Sequence, residues 1–446
     1  MKTIGVDVGT TTISLVVYET EKDTVIKVVT IQNGSFIEGR PEWEKIQDVP
    51  RIIGRAKEAL DKLLEQYPEI TAIGLTGQMH GIVYVNKEGK AVSPLYTWQD
   101  QRGSLPEFVG KSVVEQIRNI CQILVPAGYG LATHCYQSKK NLVPESTAKL
   151  CTIPDYLGMV LTGRKIPLTH ASMAASLGFF DSEGGVFRKE ALEAVGIDTK
   201  ILPEVADGLS VLGYYRKIPV TAALGDSQAS FLGTAGMKEN TVLLNMGTGG
   251  QVSVLSEQYF QTPGIEARPF LHGKYLLTGS SLCGGRAYAI LERFFREYAV
   301  VAGAPDQPQY EIMEKLAEAA VFADNSMKVV TAFNGTRADP AVRGSISGLS
   351  EDNFNPGGLI LGVLAGMAGE LYDLYASICE GTGIRAEHVV ASGNGLRKNR
   401  LLRKIFQDMF QAEVKLSRHK EEAACGAAVS SAMWMGGYGS ESMSFT

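Results

Sequence analysis

The stretch Gly5-Val6-Asp7-Val8-Gly9-Thr10-Thr11-Thr12 packs one carboxylate, two glycines and three consecutive hydroxyls into a short space. β-favouring residues flank it, Ile4 on one side and Ile13 to Tyr18 on the other, so it reads as the tight turn of a β-hairpin. Gly9 permits a turn whose N–H groups converge on an anion, and Asp7 at its lip could hold a metal ion or its water shell. Asp-Val-Gly-Thr is also ordinary turn chemistry, so the stretch needs support from elsewhere. An echo lies 238 residues on: Asn245-Met246-Gly247-Thr248-Gly249-Gly250 follows a strand-like run and is followed by another, placing Asn245, Gly247 and Thr248 where Asp7, Gly9 and Thr10 stand. Two hydroxyl-rich turns on opposing sheets would suit a triphosphate held between two domains. A third glycine-rich turn, Gly393-Asn394-Gly395, also follows a strand. None of the three has the lysine of a Walker A loop or the Gly-x-Gly-x-x-Gly dinucleotide spacing, which disfavours hydride transfer.

Asp226, in Gly225-Asp226-Ser227-Gln228, closes a strand and opens a helix, where a carboxylate can face a cleft and accept the proton of a hydroxyl. A helix cap is the competing role for an aspartate there. Gln78-Met79-His80 and Trp98-Gln99-Asp100-Gln101-Arg102 offer polar groups beside an apolar plate, a mixture suited to a polyol. Taken singly, His80 and Trp98 could as well be core residues and Arg102 a surface charge.

The elements that must position these residues alternate between strand and helix, which indicates α/β domains. Strands are expected at 23–31, 70–75, 220–224, 241–244 and 389–392. Helices are expected at 43–67, with a break or late start at Pro50, and at 229–235, 287–298, 310–321, 357–379, 396–411 and 421–435. The pattern changes near residue 236, dividing the chain into 1–236 and 237–446. With 446 residues, two domains are the natural expectation.

Composition narrows the class. The chain is 45% hydrophobic and 20% charged with a net charge of −5, which argues against nucleic acid or an anionic membrane as partner. No N-terminal secretion signal is evident, and the longest apolar run, 357–369, is too short to span a bilayer and reads as a buried helix. The six cysteines form no Cys-x-x-Cys pair, consistent with a reducing cytoplasm and no structural zinc. No exposed apolar stripe stands out, which leaves a monomer or homodimer.

In order along the chain, Gly5-Val-Asp7-Val-Gly9-Thr-Thr, Gly77-Gln-Met-His80-Gly81, Trp98-Gln-Asp100-Gln-Arg102, Gly225-Asp226-Ser-Gln228-Ala229, Asn245-Met-Gly247-Thr248-Gly249, Ser392-Gly393-Asn-Gly395-Leu-Arg-Lys-Asn399 and Ala423-Ala-Cys-Gly426 resemble the motifs of the FGGY family of carbohydrate kinases, in the actin/hexokinase/Hsp70 superfamily. The resemblance implies two ribonuclease H-like domains around a cleft, the first for sugar and base, the second for nucleotide. It implies ATP and Mg²⁺, with Asp226 as catalytic base and Asp7 on the metal side. Gly9, Thr10, Thr11, Thr12, Gly247, Thr248 and Gly249 would hold the phosphates, and Gly393, Asn394, Gly395 and Asn399 the adenosine. Gln78, Met79, His80, Trp98, Asp100, Tyr129 and Gln228 would read the sugar. Gln-Met-His-Gly is similar to the ketose kinases, where glycerol kinases have Arg-Glu, and the Trp98 and Tyr129 stretches favour sedoheptulose over D-xylulose. A sugar-sensing ATPase of the same superfamily is the competing class; it would not need Asp226 together with Gln78, His80 and Trp98.

Overall fold

A computed structural model of the chain describes residues 1–320, 327–336, 339 and 341–437. The expected second domain therefore runs past the described residues at its end, and Val321, the expected last residue of one helix, lies outside them.

The chain opens with a meander, β1 (Lys2–Val8), β2 (Thr12–Glu19) and β3 (Thr24–Gln32), antiparallel throughout. Ile4, Val6 and Val8 of β1 are fully buried, as a central strand requires. Helix α1 (Val49–Gln66) begins later than the expected 43, because Pro50 belongs to its first turn and Asp48 caps it by accepting from Arg51 N at 2.8 Å. It leads to β4 (Ile70–Gly77), which pairs in parallel with β1. An outer lobe follows, with α2 (Gly130–Lys139), α3 (Ile153–Thr162) and α4 (Ala171–Ser176). The chain then returns as β5 (Val211–Tyr215), β6 (Ile218–Thr221) and β7 (Leu224–Gly225). The strand expected at 220–224 is thus two pieces; β7 runs directly into α5 (Asp226–Ala235), which starts before the expected 229. The sheet order is β5-β6-β4-β1-β2-β3, with β7 also on β4.

The second half repeats the plan. Strands β8 (Thr241–Met246) and β9 (Gly250–Ser256) form a hairpin, with β10 (Ile265–Pro269) and β11 (Tyr275–Ser281) beyond it. Helices α6 (Gly284–Val301), α7 (Tyr310–Ala320) and α8 (Pro356–Thr382) precede β12 (His388–Ser392), which pairs in parallel with β8. Next come α9 (Gly393–Lys398), α10 (Arg400–Phe410), β13 (Val414–Leu416) and α11 (Glu422–Trp434). The order is β10-β11-β9-β8-β12-β13. In both sheets the central strand, β1 or β8, has its hairpin partner on one side and a parallel latecomer on the other, the outcome expected from the echoed turns.

Each sheet has its own apolar core, the outer lobe has a third, and a fourth joins the halves. The joining core contains Val16 and Tyr18 of β2, Leu243 of β8 and Val390 of β12, with Phe231 and Leu232 of α5 and Ala424, Cys425, Ala428 and Val429 of α11 between them. Although α11 is last in sequence, its alanine-rich face lies on β1 and β4. A Cβ at Gly5 or Gly74 would come within 1.8 Å of the carbonyl oxygen of Ala424 or Ala427. Helices α5 and α11 cross as closely: a Cβ at Gly426 would lie 1.8 Å from Ala229 O.

One expectation, the buried helix at 357–369, is met, and two features differ. Helix α8 has 27 residues and by length and composition could cross a membrane, yet Ile360, Leu364, Ala368, Leu371 and Ile378 are fully buried in the second core. The helix expected at 396–411 is broken at Asn399, whose side-chain oxygen accepts from Leu402 N at 2.9 Å and caps α10. On α6, Phe294, Tyr298 and Val301 stand 59%, 75% and 90% exposed at helical spacing, an apolar strip not picked out in the sequence. Gly426→Ala is expected to lower stability by about 1–3 kcal/mol through overpacking at the helix crossing. Gly369→Ala in α8, where a Cβ meets nothing within 4 Å, should be neutral or slightly stabilising. Equal thermal unfolding of the two variants would contradict the close-packed crossing.

Candidate active site

The parallel strands β1, β4 and β7 end level with one another: Val8 pairs with Gly77, and Gly77 with Gly225. The residues that follow therefore emerge together at one sheet edge, Gln78 beyond β4 and Asp226 beyond β7, with Asp7 one residue back on β1. A Cβ at Gly77 would press on Val8 O at 2.6 Å, so glycine lets these strand ends close up. The Asp226 turn is held from below: Gly225 N donates to Ser172 Oγ at 2.9 Å, and Ser172 Oγ lies 2.8 Å from Nδ1 of buried His170. Burial pushes the His170 pKa down to about 4, keeping the imidazole neutral.

Burial pushes Asp7 up to about 7, and the negative charges of Asp226 and Glu421 push the same way. Burial also raises Asp226, opposed by the positive charge of Arg268 and by the Ser227 N–H. Two carboxylates thus share one low-dielectric edge, and among the described residues no cation forms an ion pair with Asp7. That charge distribution favours a bound cation near Asp7 and a proton-accepting carboxylate at Asp226.

The first glycine turn is braced from behind. Asn33 Nδ2 donates to Gly9 O (2.7 Å), Gln47 Nε2 to Thr10 O (2.8 Å) and Asn33 N to Thr11 O (2.8 Å). These bonds occupy the carbonyls of Gly9, Thr10 and Thr11, so any anion held by the backbone of this turn would be held by its N–H groups. Thr10 Oγ1 donates to Gln78 Oε1 (3.3 Å), and Gln78 Nε2 donates to Gln47 Oε1 (3.0 Å), closing a ring that ties the phosphate turn to the Gln78 turn. Trp98 Nε1 donates to Thr10 Oγ1 at 3.0 Å while its indole stays 45% exposed, a plate over the turn. Thr12 begins β2, and Thr11 is exposed.

His80 has a left-handed backbone (φ 72°), its Nδ1 lies 2.8 Å from Ser176 O, and its ring stacks on Tyr129 at 4.2 Å between centroids. The Tyr129 loop reaches Trp98 because Gly128 has no side chain; a Cβ there would sit 1.8 Å from Trp98 O. Met79 is buried against the base turn, accepting from Ser227 Oγ at 3.8 Å. Met79 thus meets the residue after Asp226, Gln78 and Trp98 are tied to Thr10, and His80 is stacked on Tyr129.

Two expected sugar-reading residues are placed otherwise. Asp100 is fully buried; its oxygens accept from Arg102 Nε (2.7 Å), Arg102 N (3.0 Å), Arg102 Nη2 (2.9 Å) and Lys45 N (3.1 Å), a structural ion pair with its acceptors spent. Gln228 is buried too, donating to Pro269 O of β10 at 3.1 Å and accepting from Ser227 Oγ at 3.0 Å, so it clasps the two halves together.

On the facing sheet, Gly247, Thr248 and Gly249 form an exposed turn onto which the N-terminus of α6 docks, Gly285 N donating to Gly247 O (2.9 Å) and Arg286 N to Thr248 O (3.0 Å). Gly393 has φ 81°, and a Cβ there would meet Met246 O at 2.6 Å; Gly395 lies equally close to Met246. The expected third glycine turn is instead the first turn of α9, packed against Met246 beside the second turn, with Asn394 exposed. Asn399 lies at the next helix junction with its oxygen committed to the α10 cap.

Two family models cover most of the chain: FGGY family of carbohydrate kinases, N-terminal domain, at residues 2–233, and the corresponding C-terminal domain at residues 242–435. The chain belongs to the FGGY family of carbohydrate kinases. It is an ATP-dependent sugar kinase with the two-domain actin/hexokinase-like fold. It is 27% identical to sedoheptulokinase of Mus musculus across 96% of both chains, and 27% identical to glycerol kinase of Aquifex aeolicus across 97% of this chain and 90% of that one. Xylulose kinase from Rhodospirillum rubrum superposes with a TM-score of 0.84 at 22% identity, covering 100% of this chain and 91% of that one.

Several groups at this FGGY site escaped the sequence reading. Gln47 and Asn33 brace the phosphate turn from elements with no motif of their own. Gly284-Gly285 carried a usable signal, a glycine pair opening a helix after a strand. Arg268 carried none beyond lying in a strand.

Asp7 supplies a pH test of this charge arrangement. It ionises at about 7 when folded and near the ordinary 3.8 when unfolded, so its contribution to stability falls as pH rises through that window and is constant above it. Asp7→Asn removes this penalty. The Tm advantage of the ligand-free variant over wild type should widen from pH 5 to pH 7.5; a gap independent of pH would contradict the buried carboxylate.

Proposed function

We propose that the protein transfers the γ-phosphoryl of ATP to the terminal primary hydroxyl of a ketose, with sedoheptulose ahead of D-xylulose. The observation that carries this reading is the wall beside Asp226, where Met79 and the His80–Tyr129 stack stand in place of a charged pair. Such a wall supplies an apolar surface for the C–H face of a sugar and neutral polar groups for its hydroxyls. The similarity to mouse sedoheptulokinase along nearly the whole chain supports the same choice.

In this reading Asp226 accepts the proton of the attacking hydroxyl. Burial raises the Asp226 pKa and makes its carboxylate a stronger base, while the positive charge of Arg268 opposes that rise. The Gly247 N–H is spent on Gly249 O (3.0 Å), and in this reading the N–H groups of the Gly9–Thr12 turn and of Thr248 and Gly249 stabilise the charge that develops on the transferring group. The glycine-lined first turn of α9, Gly393 to Gly395, receives the adenosine. Among the described residues no cluster of three or more metal-ligating side chains occurs. A single oxygen donor without a cationic partner suits Mg²⁺, which keeps most of its waters, and Asp7 would hold it through them. Bound there, Mg²⁺ would supply charge neutralisation at the phosphates.

A panel of ketoses, aldoses and polyols in an ADP-release assay tests the reading. Sedoheptulose should give the highest kcat/KM, followed by D-xylulose, and ATP turnover should depend on sugar. Turnover that no sugar accelerates would instead support a sugar-sensing ATPase. Asp226→Asn should lower kcat by about 10²–10⁴-fold, as for loss of a general base; near-normal kcat would remove Asp226 from that role.

A further inference from the structure

Arg268 lies on β10, in the half of the molecule that carries the nucleotide turns, yet its side chain ends at the opposite wall. Nη1 donates to Ser227 Oγ at 3.0 Å, in the first turn of α5 beside Asp226, and the guanidinium is within electrostatic reach of both Asp226 and Tyr129. Nε and Nη2 both donate to Glu266 Oε2, at 3.1 and 2.7 Å. Arg268 is 15% exposed and Glu266 39% exposed. A purely mechanical clasp does not need this arrangement, because the neighbouring bond from Gln228 to Pro269 O already joins β10 to α5. Of the five guanidinium N–H groups, these three bonds leave two, on a guanidinium within electrostatic reach of Tyr129.

We propose that the Arg268–Glu266 pair is a specificity element for the sugar: the remaining Arg268 N–H groups bind hydroxyls of a neutral polyhydroxy ketose, and Glu266 cancels the charge that would otherwise recruit a sugar carboxylate. The inference rests on the ketose-kinase reading of this same site. An uncompensated arginine among polyol-binding groups would attract an aldonate, which offers the same terminal primary hydroxyl plus an anion suited to a bidentate guanidinium contact. With Glu266 on one edge of the fork, that contact is occupied and an incoming carboxylate meets a like charge. Because Arg268 belongs to the far domain, the sugar completes its contacts only when β10 lies against α5, which links sugar recognition to the arrangement in which the two phosphate turns face one another.

The test is steady-state kinetics of wild type, Arg268→Gln, Arg268→Lys and Glu266→Gln with sedoheptulose and with gluconate, recording KM for sugar and for ATP separately and Tm for each variant. Arg268→Gln should raise the ketose KM by about tenfold or more, the loss expected for a hydrogen bond from a charged donor, with the ATP KM little changed. Arg268→Lys should recover only part of that loss, because it keeps the charge without the fork. Glu266→Gln should raise the ratio of gluconate to sedoheptulose kcat/KM by about tenfold, as expected when an anion regains a paired cation. An unchanged ketose KM in both Arg268 variants, or an unchanged gluconate-to-sedoheptulose ratio in Glu266→Gln, overturns the proposal. Should Arg268→Gln fail to fold, the Glu266→Gln ratio decides alone. Failure of the underlying ketose reading is distinct, since it would already show as absent ketose turnover in wild type.

Discussion

The site depends on how closely one helix lies on the first sheet. Helix α11 presses its backbone onto β1 and β4 at Gly5 and Gly74 and onto α5 at Gly426, each at a distance that admits no side chain. Those contacts involve the strand that carries Asp7, the strand that leads into Gln78 and the helix that begins with Asp226. They also bring Glu422, at the start of α11, against Ser392 and Arg397 beside the third glycine turn, with Arg397 Nη2 donating to Glu422 at 3.2 Å. One helix therefore registers Asp226, the carboxylate of the first turn and the Gly393 segment against one another. Backbone-to-backbone contact is stiff, because neither partner can relieve a clash by changing rotamer.

The two hairpins have the same topology but different chemistry. Where the first sheet has Asp7, the second has Asn245, whose amide donates to Ser392 Oγ at 3.4 Å. The first turn thus offers an anion near a second carboxylate, while the second offers a neutral group and glycine-lined N–H groups. The two similar sheets thus carry turns that differ in charge, a carboxylate in the first and an amide in the second. The two family domains meet where β10 reaches α5 through Arg268 and Pro269.

Local signals were legible wherever chemistry and backbone coincided. The turns at Gly9, Gly247 and Gly393 could be read because glycine, hydroxyls and flanking β-branched residues share a few positions. Asp226 could be read because a strand ends and a helix begins at it. Asp100 misled because its partner is two residues away: the Asp-x-Arg spacing folds into one turn and spends the carboxylate internally. Asn399 carried a second role, a helix cap, inside a motif that suggested only nucleotide contact. Arg268 was invisible because Ile265-Glu266-Ala267-Arg268 reads as an ordinary alternating strand, and only the fold brings its polar face to Ser227. The docking of α11 was hidden for a related reason: a helix rich in alanine has no polar face from which to infer its neighbour.

Proton-coupled ³¹P NMR of the product formed from sedoheptulose and Mg-ATP tests the central claim most directly. Transfer to a terminal primary hydroxyl predicts a phosphomonoester resonance split into a triplet by the two protons of the adjacent carbon, appearing in step with ADP. A doublet, marking a secondary hydroxyl, would contradict the placement of the acceptor at Asp226, and release of inorganic phosphate alone would contradict phosphoryl transfer to the sugar.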